Sequence, residues 1–206
     1  MKPADQKIYL ASKSPRRREL LRQIGVDFIL LMLRDQGPRG PDVSEEMYAG
    51  EAPEDYVVRV THEKAAAAWQ ILLARRLPQR TILAADTTVV LDGDILGKPA
   101  GRTEAVTMLQ SLSGRTHQVL TSVVVHHDGE AQQLTQTSTV TFAALSDDMI
   151  RAYCATSEPY DKAGGYGIQG LASMFITDIT GSHSGIMGLP LFETAQLLKQ
   201  AGIKLL

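Results

Sequence analysis

The sequence has little cysteine, few aromatic residues and no excess of charge. Its single cysteine, Cys154, excludes a disulfide framework and is typical of a reducing compartment, so we expect a cytoplasmic protein. Lys and Arg total 21 against 23 Asp and Glu, a formal net charge of −2. This balance gives no global positive field for nucleic acid or for an anionic membrane. We therefore expect neither partner.

Long apolar runs are also missing. The first residues, MKPADQKIYLAS, hold no continuous apolar segment of signal-peptide length, and no stretch approaches the roughly 18 apolar residues of a membrane span. Hydrophobic residues nevertheless make up 44% of the 206 positions, which is enough to bury a full core. We expect one domain over residues 1–206.

Strand and helix patterns alternate along the chain and predict a mixed α/β fold. Apolar and β-branched runs predict strands at Ile8–Ala11, Thr81–Leu91, Gln118–Val125, Leu134–Phe142 and Met174–Ile179. A further strand at Ile203–Leu206 is expected to close the sheet. Helical spacing predicts helices from Pro15, from Pro53 to just before Pro78, over Ala105–Leu112, from Ser146 to about Ala155 and from Pro190 to about Lys199. The stretch Leu33–Pro53, rich in Gly, Pro and acids, is predicted to be an exposed loop.

The turn ASKSPRRRELL joins the first predicted strand to the first predicted helix. Pro15 suits a first helical position because its fixed φ and missing N–H cost nothing there. A helix N-terminus presents unpaired backbone N–H groups and a partial positive charge. Further donors surround it, from Ser12, Ser14, Arg16 and Arg17. The turn is therefore a predicted cradle for an anion such as phosphate.

Asp86 stands alone among the apolar and β-branched residues of TILAADTTVVL. Burying an unpaired carboxylate costs several kcal/mol, so Asp86 must be paired, bound to a metal or held at a cleft. A structural aspartate that pins the fold by hydrogen bonds is the simpler alternative. Perturbed carboxylates cluster at functional sites, which favours a functional role.

Three lysines lie in turns or on a helix near these motifs. Lys64 ends THEK on the long helix, Lys98 lies in LGKP and Lys162 lies in DKAGGYGIQG. Each alone is more often a solvated surface residue. The glycines beside Lys98 and Lys162 allow a ligand to approach the backbone closely. Together with the arginine pair, the lysines match the charge of a triphosphate.

Two segments match nucleotide-binding motifs by letters only. GDILGK has one residue too few for a P-loop, and Pro99 stands where Ser or Thr should hold Mg²⁺. GYGIQG fits GxGxxG but precedes a predicted strand instead of joining a strand to a helix. We expect its glycines to form a tight loop that places Gln169, whose amide can read the edge of a base.

Carboxylates that suit a hard cation such as Mg²⁺ occur in the acidic stretch and next to Lys162, namely Glu45, Glu46, Glu51, Glu54 and Asp161. Acidic loops are more often plain soluble surface. The five histidines show no zinc-binding spacing. The serines of the opening turn lack the GxSxG signature of a hydrolase nucleophile, so we expect donor roles for them.

These motifs together resemble the Maf family of nucleoside triphosphate pyrophosphatases. Six blocks in family order carry the resemblance: ASKSPRRRELL, APEDYVVRVTHEKA, AADTTVVLDGDILGKP, LSGRTHQV, DKAGGYGIQG and GLPLFET. The resemblance implies a mixed β-sheet with flanking helices, two lobes around a cleft, a likeness to inosine triphosphate pyrophosphatases, and a homodimer. It also implies cleavage between the α and β phosphates with a divalent metal cation, Mg²⁺, Mn²⁺ or Co²⁺.

The resemblance also implies a role for each candidate residue. Asp86 matches the proton acceptor of the family, and Glu45 and Asp86 match its metal-binding acids, although the segment between Phe28 and Glu45 is longer than usual. Arg16, Thr87 and Gln169 match positions that tune base choice. The remaining substrate-binding positions are Ser12, from the cradle, and Ser14, Arg17, Lys64, Lys98 and Lys162.

Asp86–Thr87 in ADT and Gln169 in YGIQG resemble the family branch that acts on dTTP and UTP. Three alternatives stay open at this point. The first is the same chemistry on 7-methyl-GTP or a noncanonical purine triphosphate. The second is a non-catalytic, nucleotide-binding regulator of septum formation. The third is nucleic-acid binding through Arg16–Arg18, which the acidic balance and the lack of interleaved aromatics disfavour.

Overall fold

The structure, a computed structural model, describes residues 6–34 and 40–205. Its helices are Pro15–Gln23 (α1), Pro53–Ala74 (α2), Arg102–Leu112 (α3), Asp147–Tyr153 (α4), His183–Ile186 (α5) and Leu191–Gln200 (α6). Its strands are Ile8–Leu10 (β1), Phe28–Leu30 (β2), Ile82–Leu91 (β3), Asp94–Leu96 (β4), Thr116–His127 (β5), Glu130–Phe142 (β6) and Ile176–Thr180 (β7). Short 3₁₀ turns occur at Glu158–Asp161, Ala163–Gly165 and Leu171–Phe175.

The strands form one mixed sheet in the order β2-β1-β3-β5-β6-β7, with β4 paired to β3. β1 is parallel to both β2 and β3, whereas the pairs β3–β4 and β6–β7 are antiparallel. This sheet with its accompanying helices confirms the predicted mixed α/β class. No helix within residues 6–34 and 40–205 has the length and apolar character needed to cross a membrane.

Two Asp-Gly turns join neighbouring strands. Asp92 and Gly93 link β3 to β4, and Asp128 and Gly129 link β5 to β6. All four residues have positive φ, between 48° and 91°. Two successive residues of this kind fit the tight hairpin turn whose twist matches the flanking strands. An Asp-Gly pair between two strand-like runs predicts such a hairpin from the sequence alone, and the structure confirms this prediction at both pairs.

Local capping explains where the helices begin. The Ser14 side chain accepts a hydrogen bond from the backbone N–H of Arg17, and Pro15 takes the first position of α1. Ser146 caps α4 in the same way by accepting from the N–H of Met149. The predicted starts of both helices are confirmed, since each depends only on residues within one turn.

The chain divides into two compact units, and the first holds the described residues of Met1–Asp86, Ser122–Thr135 and Gly188–Leu206. Its core packs α2 against β1 and the first half of β3. The buried members of this core are Tyr9, Ala11, Leu31, Ala65, Ala68, Leu72, Ile82, Ala84 and Val124. β3 leaves this unit at Asp86.

The second unit comprises Thr87–Thr121 and Gln136–Met187. Aromatic rings dominate its core. The ring of Phe142 meets the rings of His117, Tyr166 and Phe175 edge to face, with centroids 5.1, 4.8 and 6.1 Å away. Such geometry is preferred because the positive edge of one ring faces the negative face of the next.

Two sequence expectations differ from the structure. The short strand β2 was not predicted, although Phe28–Leu30 belongs to an apolar run; its side chains are half-buried or exposed, unlike those of the core strands. The strand expected at Ile203–Leu206 is wrong for the described part of that segment. Residues 203–205 form no strand, and the N–H of Ile203 instead bonds back to the carbonyl of Leu198 at the end of α6. Leu206 lies outside the described residues.

The predicted loop at Leu33–Pro53 is confirmed where it is described. Residues 40–52 form only bends and turns, and most of them are exposed. Residues 35–39, which also belong to this expectation, lie outside the described part of the chain.

Candidate active site

Asp86 occupies a break in the burial of β3. The strand is buried on both sides of Asp86 and Thr87, whereas these two residues are half-buried. The Nζ of Lys64 donates a hydrogen bond to Oδ1 of Asp86 at 2.6 Å. The two side chains are only 14% and 13% exposed, so the ion pair is shielded from water. The carboxylate is therefore paired, as its position among apolar residues requires.

Lys64 contacts a second carboxylate as well. Its Nζ lies 2.5 Å from Oε1 of Glu45, whose side chain is 47% exposed. One ammonium group therefore bridges Glu45 and Asp86, and the two carboxylates are close neighbours. Three residues predicted for the site, which are far apart in sequence, meet at one point of the first unit.

Arg17 is fixed nearby in the same unit. Its Nε donates to the carbonyl of Gly188 at 2.6 Å, and its Nη1 lies 3.4 Å from Oγ of Ser12. Burial lowers the pKa of the Arg17 guanidinium, and the negative charge of Asp86 opposes this shift. An arginine keeps its proton throughout the usual pH range. The group is therefore a permanent cation within electrostatic range of Asp86.

The hydroxyls of the opening turn have roles beyond donation. Oγ of Ser14 accepts from the N–H of Arg17 at 3.4 Å, and Oγ of Ser12 accepts from the N–H of Ser14 at 3.2 Å. These bonds fix the shape of the predicted anion cradle. A hydroxyl that accepts in this way can still donate its own proton to a ligand. Arg16, the residue before Arg17 on α1, is half-buried, and its charge contributes to the lowered pKa of Arg17.

Helix α2 holds the segment that carries Glu45. We define residues 45–51 as the acidic loop. The hydroxyl of Tyr56 donates to the backbone carbonyl of Glu45 at 3.0 Å. Burial raises the pKa of Tyr56 to about 12, and the charges of Asp86 and Glu45 add to the effect. Tyr56 is therefore a neutral donor at any physiological pH.

Arg59, one turn along α2, binds the far end of the acidic loop. Its Nε and Nη2 reach the two oxygens of Glu51 at 2.6 and 2.8 Å, and Nη2 also donates to the carbonyl of Glu46 at 2.9 Å. The guanidinium carbon lies 4.0 Å from the ring centroid of Tyr48. Hydrogen bonds from Arg59 lower the pKa of Glu51. Glu51, weighed above as a cation ligand, is thus committed to Arg59.

Sequence reasoning missed Tyr56 and Arg59 as parts of this site. Tyr56 fits the apolar stripe of α2, and Arg59 stands four residues before Glu63, to which it is also paired at 3.2 Å. Both positions therefore resemble ordinary core and surface positions of a helix. Gly188 was missed too, because its carbonyl meets Arg17 across a separation of 171 residues.

The remaining predicted residues lie in the second unit. The hydroxyl of Thr121 donates to the carbonyl of Gly185 at 2.8 Å, and its Oγ1 lies 3.0 Å from Oγ1 of Thr87. Thr87 is therefore held by the neighbouring strand β5.

Two glycine-containing turns of the second unit, which carry Lys98 and Lys162, pack together. The N–H of Gly164 donates to the carbonyl of Gly97 at 3.0 Å. Lys98 is exposed, whereas the Lys162 side chain is only 16% exposed and its Nζ lies 2.5 Å from Oδ1 of Asp161. Gln169 is exposed on a turn. A cleft shared by these residues and those of the first unit stays a prediction.

Comparisons with known proteins agree with the motifs. The chain matches the family described as Maf-like protein over residues 7–201. A protein of Aromatoleum aromaticum named dTTP/UTP pyrophosphatase is 54% identical over 207 positions, covering 100% of both chains. Another of that name from Ralstonia nicotianae is 55% identical, over 96% of this chain and 95% of its own length. A third, from Dechloromonas aromatica, is 46% identical over 96% and 98%.

A solved structure shares the fold. The Ham1 protein of Staphylococcus aureus superimposes with a TM-score of 0.51 at 16% identity, covering 95% of this chain and 99% of its own. At this identity the likeness concerns the fold alone, and it agrees with the mixed sheet expected from the sequence. The match over residues 7–201 and the near-full-length relatives show that this chain belongs to the Maf family.

Proposed function

We propose that this chain hydrolyses nucleoside triphosphates to the monophosphate and pyrophosphate, with dTTP and UTP as its preferred substrates. The observation that carries the proposal is the meeting of Asp86, Lys64 and Glu45 near the half-buried cation Arg17. A proton acceptor among fixed cations suits attack on a polyphosphate. The relatives named dTTP/UTP pyrophosphatase support the choice of substrate.

The reaction follows from the positions of these groups. Asp86 accepts a proton from a water whose oxygen attacks the α-phosphorus, and the bond from that phosphorus to the bridging oxygen of the β-phosphate breaks. Lys64 orients the carboxylate through its 2.6 Å hydrogen bond. Arg17 and the donors of the opening turn offset the charge that grows on the pyrophosphate. Such positioning and charge stabilisation supply most of the acceleration in phosphoryl transfer.

The second unit supplies the other proposed substrate contacts. Lys98 and Lys162 carry the charge to bind phosphate oxygens. Thr87 and Gln169, with Arg16 of the first unit, are proposed to select the base. An exposed amide such as that of Gln169 offers both a donor and an acceptor, which a pyrimidine edge can use.

A divalent cation fits the acids of the first unit. Glu45 and Asp86 both reach one ammonium group, so their oxygens are close enough to bind one small cation. Mg²⁺ is usually held by one or two carboxylates together with substrate phosphates. The described residues contain no larger group of His, Cys, Asp and Glu suited to a metal, so phosphates would complete the coordination. Mg²⁺, Mn²⁺ or Co²⁺ would polarise the phosphate oxygens when bound.

We also propose that the protein works as a cytoplasmic homodimer, without nucleic acid or membrane. The single cysteine supports a reducing compartment, and the net charge of −2 gives no support to an anionic partner. Light scattering coupled to size exclusion should report twice the 22.4 kDa of one chain. A single-chain mass would contradict the dimer.

Asp86→Asn tests the proposed function. The amide keeps the size of the side chain and an oxygen that can accept from Lys64, so the variant should fold, but it cannot take a proton. We expect the turnover of dTTP to fall by about a hundredfold or more. The matched control is Asp92→Asn, an exposed acid in the turn after the same strand, which should keep its activity.

Pyrophosphate release should be measured across dTTP, UTP, CTP, GTP, 7-methyl-GTP and ITP, coupled to an inorganic pyrophosphatase. Near-normal turnover by Asp86→Asn would contradict its role as proton acceptor. A preference for purines would contradict the assignment of the base. Binding without pyrophosphate release would instead indicate a nucleotide-binding regulator.

A further inference from the structure

The segment that carries Lys162 and Gln169 has little regular structure of its own. It consists of 3₁₀ turns, and Gly164 and Gly165 both have left-handed φ, at 70° and 68°. Runs of 3₁₀ structure are short because their hydrogen-bond geometry is poor. Residues 167–170, which we call the Gln169 turn, lie between the second and third of these 3₁₀ turns. Contacts from elsewhere must therefore hold this turn in place.

Glu158 supplies these contacts through its carboxylate. Oε2 accepts from the N–H of Leu171 at 2.8 Å, and Oε1 accepts from the N–H of Ala172 at 3.2 Å. Oε1 also accepts from the hydroxyl of Tyr153 at 3.0 Å. The carboxylate thus caps the 3₁₀ turn that directly follows the Gln169 turn. Its three partners are all donors, which is the arrangement that an acceptor-only group requires.

Two glycines let the backbone close around this side chain. A β-carbon on Gly170 would overlap the Glu158 carboxylate, and a β-carbon on Gly167 would lie 2.8 Å from Cε of Lys162. GYGIQG matches a dinucleotide-binding motif only by its letters, and two of its glycines are explained by packing instead. Gly167 and Gly170 leave room for Glu158 and Lys162.

Glu158 also binds the lysine of the segment. Nζ of Lys162 donates to the backbone carbonyl of Glu158 at 2.6 Å. One residue therefore holds the proposed phosphate-binding ammonium through its carbonyl and caps the proposed base-reading turn through its carboxylate. Sequence reasoning gave Glu158 no role.

We propose that Glu158 is a positioning residue that fixes the Gln169 turn and thereby sets the base preference of the enzyme. This inference rests on the proposed function for its effect on substrate choice. The positioning itself rests on the three hydrogen bonds and the two glycine contacts. Glu158 acts through Gln169 and Lys162 and does not itself take part in the reaction.

The test compares Glu158→Gln with Tyr153→Phe. Glutamine has one acceptor oxygen, and its NH₂ group would face a backbone or hydroxyl donor, so at least one of the three bonds is lost. Phenylalanine at position 153 leaves both backbone bonds of Glu158, but it removes the hydroxyl bond to Glu158 and also the bond that this hydroxyl accepts from the backbone N–H of Gly167. The matched control is Asp148→Asn on α4, which removes the same charge from a side chain that is 93% exposed.

Two measurements are made on each folded variant. Amide hydrogen exchange over residues 167–172, without nucleotide, reports the order of the turn. The ratio of kcat/KM for dTTP to that for GTP reports base choice. We expect Glu158→Gln to speed exchange and to lower the ratio by about tenfold, the factor for one lost hydrogen bond to a charged group. Its KM for dTTP should change more than its kcat. Tyr153→Phe should move both readouts less, in the same direction, and Asp148→Asn should move neither.

Several outcomes would overturn the proposal. One is Glu158→Gln with normal exchange, and another is an equal loss of kcat/KM for every nucleotide with an unchanged ratio. Should Glu158→Gln fail to fold, Glu158→Asp, which keeps the charge but shortens the reach to the N–H groups of Leu171 and Ala172, decides in the same way. If the wild-type chain releases no pyrophosphate from any nucleotide, the proposed function and the effect on base choice both fail. Hydrogen exchange then decides separately whether Glu158 fixes the turn.

Discussion

The acidic loop and the Gln169 turn are both irregular segments that present proposed functional side chains, yet they are held in opposite ways. Charged and aromatic groups of α2 hold the acidic loop from outside, through Arg59 and Tyr56. The Gln169 turn instead closes around Glu158, a carboxylate that binds backbone N–H groups, with glycine wherever a β-carbon would interfere.

The two segments therefore differ in how firmly their proposed functional side chains are fixed. The Arg59–Glu51 ion pair is only 17% and 8% exposed, whereas the Glu45 side chain is 47% exposed, so the Glu45 carboxylate can adjust at little cost. The Glu158 carboxylate makes three hydrogen bonds, and a hydrogen bond to a charged group contributes about 1.5–3 kcal/mol. An adjustable loop suits Glu45, which would exchange Lys64 for a metal cation during each cycle. A firmly held turn suits Gln169, the side chain proposed to distinguish one base from another.

The largest expected effect is a loss of stability in acid that originates next to the Gln169 turn and not at the acidic loop. Nε2 of His117 lies 2.7 Å from the hydroxyl of Tyr166, the residue just before the Gln169 turn, and His117 is only 2% exposed. Burial lowers the pKa of His117 from 6.5 to about 4. Among the described residues its Nδ1 has no hydrogen-bond partner, so a second proton on the ring would be poorly placed.

The lowered pKa sets the direction in which stability depends on pH. The folded state prefers neutral His117, so this stability is present above pH 6.5 and is lost as the pH falls towards 4. The loss should reach about 3 kcal/mol in the free energy of unfolding. Urea titrations between pH 4 and 7 should show that His117→Gln removes most of this loss. Tyr166→Phe keeps the buried imidazole, so this variant should show the same loss of stability in acid as the wild-type protein. An acid dependence unchanged by His117→Gln would contradict the prediction.

Gly170→Ala should have the next largest effect. The new β-carbon must displace the Glu158 carboxylate from its three donors, so the free energy of unfolding should fall by about 2 kcal/mol. The matched control is Gly97→Ala, where a β-carbon meets nothing within 4 Å. In a double-mutant cycle with Glu158→Ala, the double variant should lose less stability than the sum of the two single losses. The reason is that Glu158→Ala opens the space that the new β-carbon at position 170 requires. If the two losses are strictly additive, Gly170 does not act by leaving room for Glu158.

How much could be read from the sequence depends on the distance between the interacting residues. Ser14 and Pro15 start α1 and the Asp-Gly pairs turn the hairpins as predicted, because each depends on neighbours within one turn. Asp86 was recognisable because an unpaired carboxylate is unfavourable in an apolar strand. The contacts that hold the site residues in place could not be recognised from the sequence. Arg17 meets Gly188, and Glu158 meets Leu171, only through folding that no local pattern records.

Replacing Arg59 tests the adjustable side of the comparison. Arg59→Met keeps much of the side-chain bulk but removes the bonds to Glu51 and Glu46, and the free energy of unfolding should fall by about 2 kcal/mol because the Glu51 side chain, only 8% exposed, loses its partner. The acidic loop should loosen, so the metal concentration for half-maximal activity should rise several-fold while kcat at saturating metal stays near normal. The matched control is Arg151→Met on α4, whose ion pairs with Asp147 and Asp148 lie at the surface. Unchanged metal dependence would show that Arg59 does not hold Glu45 in place.

The smallest effect is expected from Tyr56→Phe, because one hydroxyl bond to the carbonyl of Glu45 is lost while Arg59 still holds the loop. At neutral pH the free energy of unfolding should fall by about 1 kcal/mol, and the metal requirement should change by about twofold or less. Alkali gives the sharper signature. The folded pKa of Tyr56 is raised from 10.0 to about 12, so stability from the neutral phenol is present below pH 10 and is lost as the pH rises towards 12.

The wild-type protein should therefore lose about 1 kcal/mol between pH 10 and 11 that Tyr56→Phe does not lose, measured by urea titration at both values. Parallel losses in the two proteins would mean that the hydroxyl of Tyr56 is not held against Glu45 in solution. In that case the acidic loop would depend on Arg59 alone, and the contrast with the Gln169 turn, which has several backbone bonds to one carboxylate, would become larger.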